Sequence, residues 1–121
     1  MNKSILIVDD SPSIRQMVEA TLKSAGYLVT AAEDGQAALD ICADNEFDFI
    51  LTDLNMPRMD GMTLVKSLRT KPTFYSTPIV VLTTEASDEV KSRGRDAGAT
   101  GWMVKPFDPK KLLHIVAKVI G

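Results

Sequence analysis

The sequence FDFILTDLNMP, residues 47–57, joins a short apolar run to an acidic residue, Asp53. The run at residues 49–51 is typical of a strand that is covered on both faces, as strands of parallel sheets are. Pro57 then requires a turn, because proline fits poorly inside a regular strand. Asp53 is therefore predicted at the carboxyl end of a buried strand, where open parallel sheets bind their ligands.

Three other apolar runs, ILIVDD, PIVVLTT and GWMVKP, also end in polar side chains. If all four runs are parallel strands, their ends meet at one edge of the sheet. We therefore predict one site that combines carboxylates, hydroxyls and an amine, formed with Asp53 by Asp9 and Asp10, Thr83 and Thr84, and Lys105.

The segments between these runs show helical spacing of apolar residues and helix-capping signals. Ser11 before Pro12 and Asp108 before Pro109 are typical helix starts. We predict helices at 12–24, 35–44, 61–70, 87–97 and after Pro109, strands at 5–8, 27–31, 47–52, 79–82 and from Gly101, and a loop at 72–77. Five strands alternating with five helices predict a (βα)5 doubly wound α/β fold with a parallel sheet. The fourth helix has few apolar residues and is expected to be the most mobile.

Length and composition narrow the class of protein. We expect 121 residues to form one domain, with no output domain attached, and a composition of 45% hydrophobic and 25% charged residues is typical of soluble globular proteins. No apolar stretch approaches the roughly 20 residues of a membrane span. The single cysteine, Cys42, and the lack of a signal peptide favour the cytoplasm. No strongly basic stripe indicates nucleic-acid binding.

The acidic residues at the strand ends predict a cation site. Residues 1–60 contain eleven acidic and four basic side chains. Asp9, Asp10 and Asp53 at neighbouring strand ends would repel one another strongly unless a cation lay between them or a pKa rose. Such a site suits Mg²⁺, because this ion prefers oxygen ligands, takes only a few of them from the protein and commonly bridges to a phosphate.

This residue set is sufficient for phosphoryl transfer to a carboxylate. An aspartate beside Mg²⁺ can attack a phosphoryl group and form an aspartyl phosphate. The Thr83 hydroxyl could donate a hydrogen bond to one phosphoryl oxygen, and the Lys105 ammonium could pair with another. No general base is required, because the attacking carboxylate is already ionised.

The segments ILIVDDS, DFILTDLNMPRMDG, PIVVLTT and MVKPF resemble the receiver domains of two-component response regulators. The resemblance covers essentially the whole chain and is greatest to the stand-alone chemotaxis regulators. It implies a flavodoxin-like sheet with strand order 2-1-3-4-5, a cis Lys105–Pro106 bond, and a phosphorylation-activated switch. The phosphoryl donor would be the phosphohistidine of a histidine kinase, and Asp53 would accept the group.

The resemblance also assigns roles to the neighbouring residues. Asp9, Asp10, Asp53 and the backbone carbonyl of Asn55 would hold Mg²⁺. Thr83 and Lys105 match the switch hydroxyl and the lysine of the family. Residues that tune the lifetime of the phosphoryl group would be Asn55 and Glu85.

The resemblance places the partner surface around the fourth helix, the fifth strand and the fifth helix. Basic residues there could contact an acidic target protein. The usual partner of such regulators is the flagellar motor switch, and the regulator itself is expected to be a monomer. The surface comprises Trp102, Lys91, Arg95, Lys110 and Lys111. Trp102 departs from the family, which often has tyrosine there, so it either moves between two positions or packs permanently under a helix.

Three alternatives remain from the sequence. A single-domain receiver in a phosphorelay fits the same residues as a chemotaxis regulator. A phosphatase of the haloacid-dehalogenase type would use a similar set, but it needs an acid two residues after the nucleophile, where this chain has Asn55. A receiver-like module that is never phosphorylated would have no reason to keep three mutually repelling acids.

Overall fold

The computed structural model describes residues 2–85 and 87–120 and has the predicted architecture. Its five parallel strands are ordered β2-β1-β3-β4-β5, and five α-helices alternate with them. The strands are β1 (Ser4–Val8), β2 (Leu28–Ala32), β3 (Phe49–Asp53), β4 (Ile79–Thr83) and β5 (Gly101–Val104). The helices are α1 (Pro12–Ser24), α2 (Gly35–Cys42), α3 (Gly61–Arg69), α4 (Asp88–Ala97) and α5 (Pro109–Ile120).

The sheet separates two hydrophobic cores. Apolar side chains alternate between the faces of each central strand, so Ile50 joins one core and Leu51 the other. The first core lies against α2, α3 and α4, and the second lies against α1 and α5. All residues of β3 and β4 are buried, which explains their nearly continuous apolar sequence.

Polar side chains cap the starts of all five α-helices. In each, a backbone N–H of the first helical turn donates a hydrogen bond to the side chain before the helix, namely Ser11, Asp34, Asp60, Ser87 and Asp108. At the other end of α4, Gly98 has a φ of 106°, the left-handed conformation that glycine adopts most readily. These caps fix where each helix begins and thereby set the loops at the edge of the sheet.

The structure corrects several predicted boundaries. The segment predicted as a loop at 72–77 contains a 3-10 helix, Pro72–Phe74, because Pro72 can start a helical turn and Phe74 is buried. Residue 47 lies before β3 rather than in it, since the pairing with β1 begins at Phe49. Strand β2, Leu28–Ala32, lies one residue later than predicted, and α2 ends at Cys42, two residues earlier than predicted.

The Lys105–Pro106 peptide bond is cis, as the resemblance implies. Across residues 2–85 and 87–120, no helix has both the length and the apolar character required to cross a membrane.

Candidate functional site

Four strand ends meet at one edge of the sheet and form the site. Asp53 is the last residue of β3, and Thr83 is the last residue of the neighbouring β4. Asp9 follows β1, and Lys105 follows β5. The parallel register aligns these ends, with Asp53 opposite Leu82 and a hydrogen bond of 2.8 Å from the Lys105 N–H to the Thr83 carbonyl.

The three aspartates lie close enough to share a cation. One carboxylate oxygen from each of Asp9, Asp10 and Asp53 lies within 4.8 Å of the corresponding oxygens of the other two. Asp9 and Asp53 are buried, whereas Asp10 is exposed. A cluster of two buried carboxylates and one exposed carboxylate is therefore open to ions from one side.

Lys105 bridges the two buried carboxylates. Its Nζ lies 3.0 Å from Asp53 Oδ1 and 3.4 Å from Asp9 Oδ2. One ammonium therefore faces two buried negative charges, so the group of three carries net negative charge. Asp10 adds to that excess.

Asp9 has one oxygen that no hydrogen bond satisfies. Its Oδ1 accepts a hydrogen bond of 2.9 Å from the Ser11 N–H, but within the described part of the chain its buried Oδ2 accepts none. The nearby Lys105 ammonium provides charge without hydrogen-bond geometry. A buried carboxylate oxygen without a donor is costly, and a hard cation would satisfy it. The donor set therefore fits Mg²⁺.

Burial and the neighbouring charges shift the pKa values of both Asp53 and Lys105. Burial raises the pKa of Asp53, and the neighbouring Asp9 carboxylate raises it too, so that together they outweigh the contacts with Lys105. Burial by itself would lower the pKa of Lys105, but the hydrogen bond and charge of Asp53 and the charge of Asp9 raise it above its ordinary value. The lysine therefore stays protonated beside the aspartates.

The residues predicted to surround the phosphoryl group take different positions. Thr83 is buried at the end of β4, and its Oγ1 accepts a hydrogen bond of 3.0 Å from the Glu85 N–H. Asn55 and Glu85 are exposed on the loops after Asp53 and Thr83. Their side chains can therefore meet solvent at the mouth of the site. The role of the Asn55 carbonyl as a metal ligand stays a prediction.

Arg15 is a site residue that the sequence reasoning missed. Its Nη1 donates a hydrogen bond of 2.7 Å to the Asp9 carbonyl. Arg15 also lines a small cavity of about 10 Å³ together with Asp9 and Asp53. A lone basic residue in the first turns of α1, shortly after two aspartates, was the signal available in the sequence.

The predicted partner surface contains one packed group and several exposed ones. Trp102 on β5 is half-buried under α4, and the Lys91 ammonium lies 5.9 Å from the centre of its ring. The structure places Trp102 in one position, packed against Gly94 of α4, and movement between two positions stays a prediction. Arg95, Lys110 and Lys111 are exposed, and Lys111 lines a cleft of about 270 Å³ with Trp102.

Comparison with known proteins identifies the family. The response regulator receiver domain matches residues 5–117. Chemotaxis protein CheY-3 of Vibrio cholerae is 37% identical over 119 residues, which cover 98% of this chain and 92% of that protein. The solved structure of chemotaxis protein CheY4 of Vibrio cholerae is 49% identical, with a TM-score of 0.95 and coverage of 98% of this chain and 99% of that one.

A further relative carries the cation that the site suggests. The receiver domain of sensor histidine kinase PA1611 from Pseudomonas aeruginosa was solved with a magnesium ion in its active site cleft. It is 31% identical, with a TM-score of 0.91 and coverage of 100% of this chain and 99% of that one. The chain spans only 13% of one curated relative and 45% of another, so the family also occurs inside longer proteins. The chain belongs to the response regulator receiver domain family.

Proposed function

We propose that this protein is a signalling switch in which a histidine kinase phosphorylates Asp53 in the presence of Mg²⁺. The observation that carries this proposal is the buried Asp53 carboxylate, 3.0 Å from the Lys105 ammonium and clustered with Asp9 and Asp10. Membership of the receiver family supports the same chemistry. As a receiver domain, the chain is a signalling regulator rather than a classical enzyme.

The side chains have distinct tasks in the proposed transfer. Asp53 Oδ1 accepts a hydrogen bond of 2.9 Å from the Leu54 N–H and contacts Lys105, which leaves Oδ2 as the attacking atom. A lone pair on Oδ2 forms the new P–O bond while the P–N bond to the kinase histidine breaks. The electrons of the P–N bond return to the imidazole. When bound by Asp9, Asp10, Asp53 and the Asn55 carbonyl, Mg²⁺ supplies charge neutralisation at the phosphoryl oxygens.

The phosphorylated aspartate would then act on its surroundings. It adds negative charge and acceptor oxygens at a buried position, where Thr83 ends the neighbouring strand β4 and the Lys105 ammonium contacts Asp53 from just after β5. Movement of Thr83 would pull on the loop that starts α4 and change the partner surface defined above. Asn55 and Glu85 would set the lifetime of the phosphoryl group, because both flank the site and are exposed to water.

We propose chemotaxis as the pathway, with a flagellar motor switch protein as the target and a cytoplasmic monomer as the working form. The likeness to chemotaxis proteins CheY-3 and CheY4 supports this assignment. A phosphorelay is the second candidate, because the chain is also similar to the receiver domain of a sensor histidine kinase. In a phosphorelay, the phosphoryl group would pass from Asp53 to a histidine of another protein.

The decisive test of the chemistry is intact mass after incubation with Mg²⁺ and acetyl phosphate. We expect one labile phosphoryl group on the parent protein and none on Asp53→Asn, which keeps the size of the side chain but removes the nucleophile. Addition of EDTA to the parent should also abolish the adduct. A parent protein that binds Mg²⁺ yet accepts no phosphoryl group from acetyl phosphate or from a histidine kinase would contradict the proposal.

The two pathways can be separated with the same phosphorylated protein. A chemotaxis regulator should bind a motor switch protein more tightly after phosphorylation, whereas a phosphorelay member should transfer the group to a histidine phosphotransfer domain. A target that binds both forms equally would exclude the proposed switch, because only differential affinity can shift its conformation.

A further inference from the structure

The loop between β3 and α3, residues 54–60, contains an unusual backbone conformation. Arg58 has a φ of 68°, and it is the only residue other than glycine with positive φ in 2–85 and 87–120. Long side chains enter this left-handed region at a cost. The structure around Arg58 must therefore hold it there.

Arg58 is held by Asp34, which lies 24 residues away at the start of α2. The Arg58 Nε and Nη2 donate hydrogen bonds of 3.0 and 2.5 Å to Asp34 Oδ2. Asp34 Oδ1 accepts the capping hydrogen bond of 2.8 Å from the Ala37 N–H. The Ala37 hydrogen bond and then the Arg58 side chain hold the pKa of Asp34 below its ordinary value, so the carboxylate is charged near neutral pH.

A second contact docks the same loop on the same helix. Met59 packs against Gly35 so closely that a Cβ on Gly35 would lie 2.9 Å from Met59 Cβ and Cγ. At the base of the loop, the Gly61 N–H donates a hydrogen bond of 2.8 Å to the Leu54 carbonyl. The loop is therefore closed at its base and fastened to α2 near its tip through two adjacent residues.

We propose that the Arg58–Asp34 pair is a latch that positions this loop for Mg²⁺ binding, so that both are positioning residues. The inference rests on the proposed function, because the loop carries the Asn55 carbonyl that would be a metal ligand. A loop that is fastened before the cation arrives loses less freedom on binding, which favours tighter binding. Neither member of the latch belongs to the acidic cluster itself.

The sign of the effect of Arg58→Asn on Mg²⁺ affinity tests the latch. Asparagine tolerates positive φ better than most residues, so this variant removes the guanidinium without adding backbone strain. Through charge alone, loss of a positive side chain near the site would strengthen Mg²⁺ binding. Loss of the latch weakens it, and we expect the dissociation constant to rise about threefold to fivefold in low salt by calorimetry.

Asp34→Asn provides the reciprocal variant, because an asparagine oxygen can still cap Ala37. We expect a similar weakening for Asp34→Asn and, in the double variant, little more than either single effect, since both remove one interaction. Added salt should reduce the effect. Arg93→Ala is the matched control, because it removes one exposed arginine on α4.

Amide hydrogen exchange of residues 54–60 without Mg²⁺ gives an independent readout. The latch predicts faster exchange there in Arg58→Asn and Asp34→Asn, and no change in the control. Unchanged exchange, or Mg²⁺ binding as tight as that of the parent, overturns the latch. If the parent itself binds no Mg²⁺, the proposed function and the role in cation binding both fail. Exchange in that case still shows whether the pair fastens the loop.

Discussion

Helices α3 and α4 cover the same face of the sheet, but they are attached to it very differently. Each follows a strand that ends in a site residue, Asp53 for β3 and Thr83 for β4. The residues that α3 buries are Gly61, Met62, Leu64, Val65 and Leu68. Those that α4 buries are Val90, Gly94 and Ala97, of which only Val90 has a side chain larger than a methyl group.

We expect this difference to separate a fixed part of the site from a part that can move. The loop before α3 contacts the start of α2 through Arg58 and Met59, and every residue of β3, which ends at Asp53, is buried. Helix α4 buries little apolar surface and is expected to open or shift at low cost. The proposed switch needs both properties, because charge added at a fixed point must displace a weakly held element.

The largest effect on stability that can test this contrast is expected from truncating the buried apolar side chains of the two helices. Leu64→Ala should lower the free energy of unfolding by about 3 kcal/mol, because the fully buried Leu64 leaves a cavity. Val90→Ala should cost roughly 1.5 kcal/mol, since it removes fewer buried groups from a less enclosed position. Urea denaturation measures both. Equal costs would break the distinction between the helices.

An intermediate effect is expected where the two helices are joined. Arg69, at the end of α3, donates hydrogen bonds to the carbonyls of Gly98, Phe74 and Thr77 at 2.9, 2.6 and 2.6 Å. Arg69→Met should lower the free energy of unfolding by about 2 kcal/mol, because partly buried carbonyls lose a charged donor.

The same variant should also speed amide exchange at the end of α4. Lys66→Met, on an exposed position of α3, is the control and should change stability little. If Arg69→Met behaved like Lys66→Met, the inference that Arg69 fastens α4 at this end would be wrong.

The smallest effect on stability is expected at the contact between α4 and β5. A Cβ on Gly94 would lie 2.5 Å from Cζ3 of the Trp102 ring, so Gly94→Ala must displace the ring. The gain in helix propensity, about 1 kcal/mol, should largely offset the lost packing. We therefore expect a change in stability below about 1 kcal/mol, but a shift of Trp102 emission to longer wavelength.

Trp102 is the only tryptophan, so its fluorescence reports this contact without interference. Gly101→Ala is the matched control, because a Cβ on Gly101 meets no atom within 4 Å. Emission unchanged in Gly94→Ala would show that the ring does not rest in the notch that glycine leaves in α4. A larger shift after phosphorylation of the parent would link the ring to the switch.

Local patterns in the sequence were sufficient for the fold class and for the centre of the site, whereas the strand order was predicted only from the family resemblance. Strand and helix periods, prolines and caps are short-range signals, and they predicted all five strands and five helices. Parallel strands place their carboxyl ends together, so polar residues that end apolar runs could be grouped without coordinates of any kind. Asp9, Asp10, Asp53 and Lys105 meet for that reason.

Only the tertiary structure determined which side chains support that centre. The contacts between Arg58 and Asp34 and between Arg69 and Gly98 join residues that are 24 and 29 positions apart. The contact between Gly94 and Trp102 joins α4 to β5, and none of the three pairs carries a local signal in the sequence. Each depends on how a helix is rotated and set back from the sheet, which the packing of the whole core decides. Trp102 illustrates this dependence: its position in β5 follows from the sequence, but its packing under α4 follows from a glycine on another element.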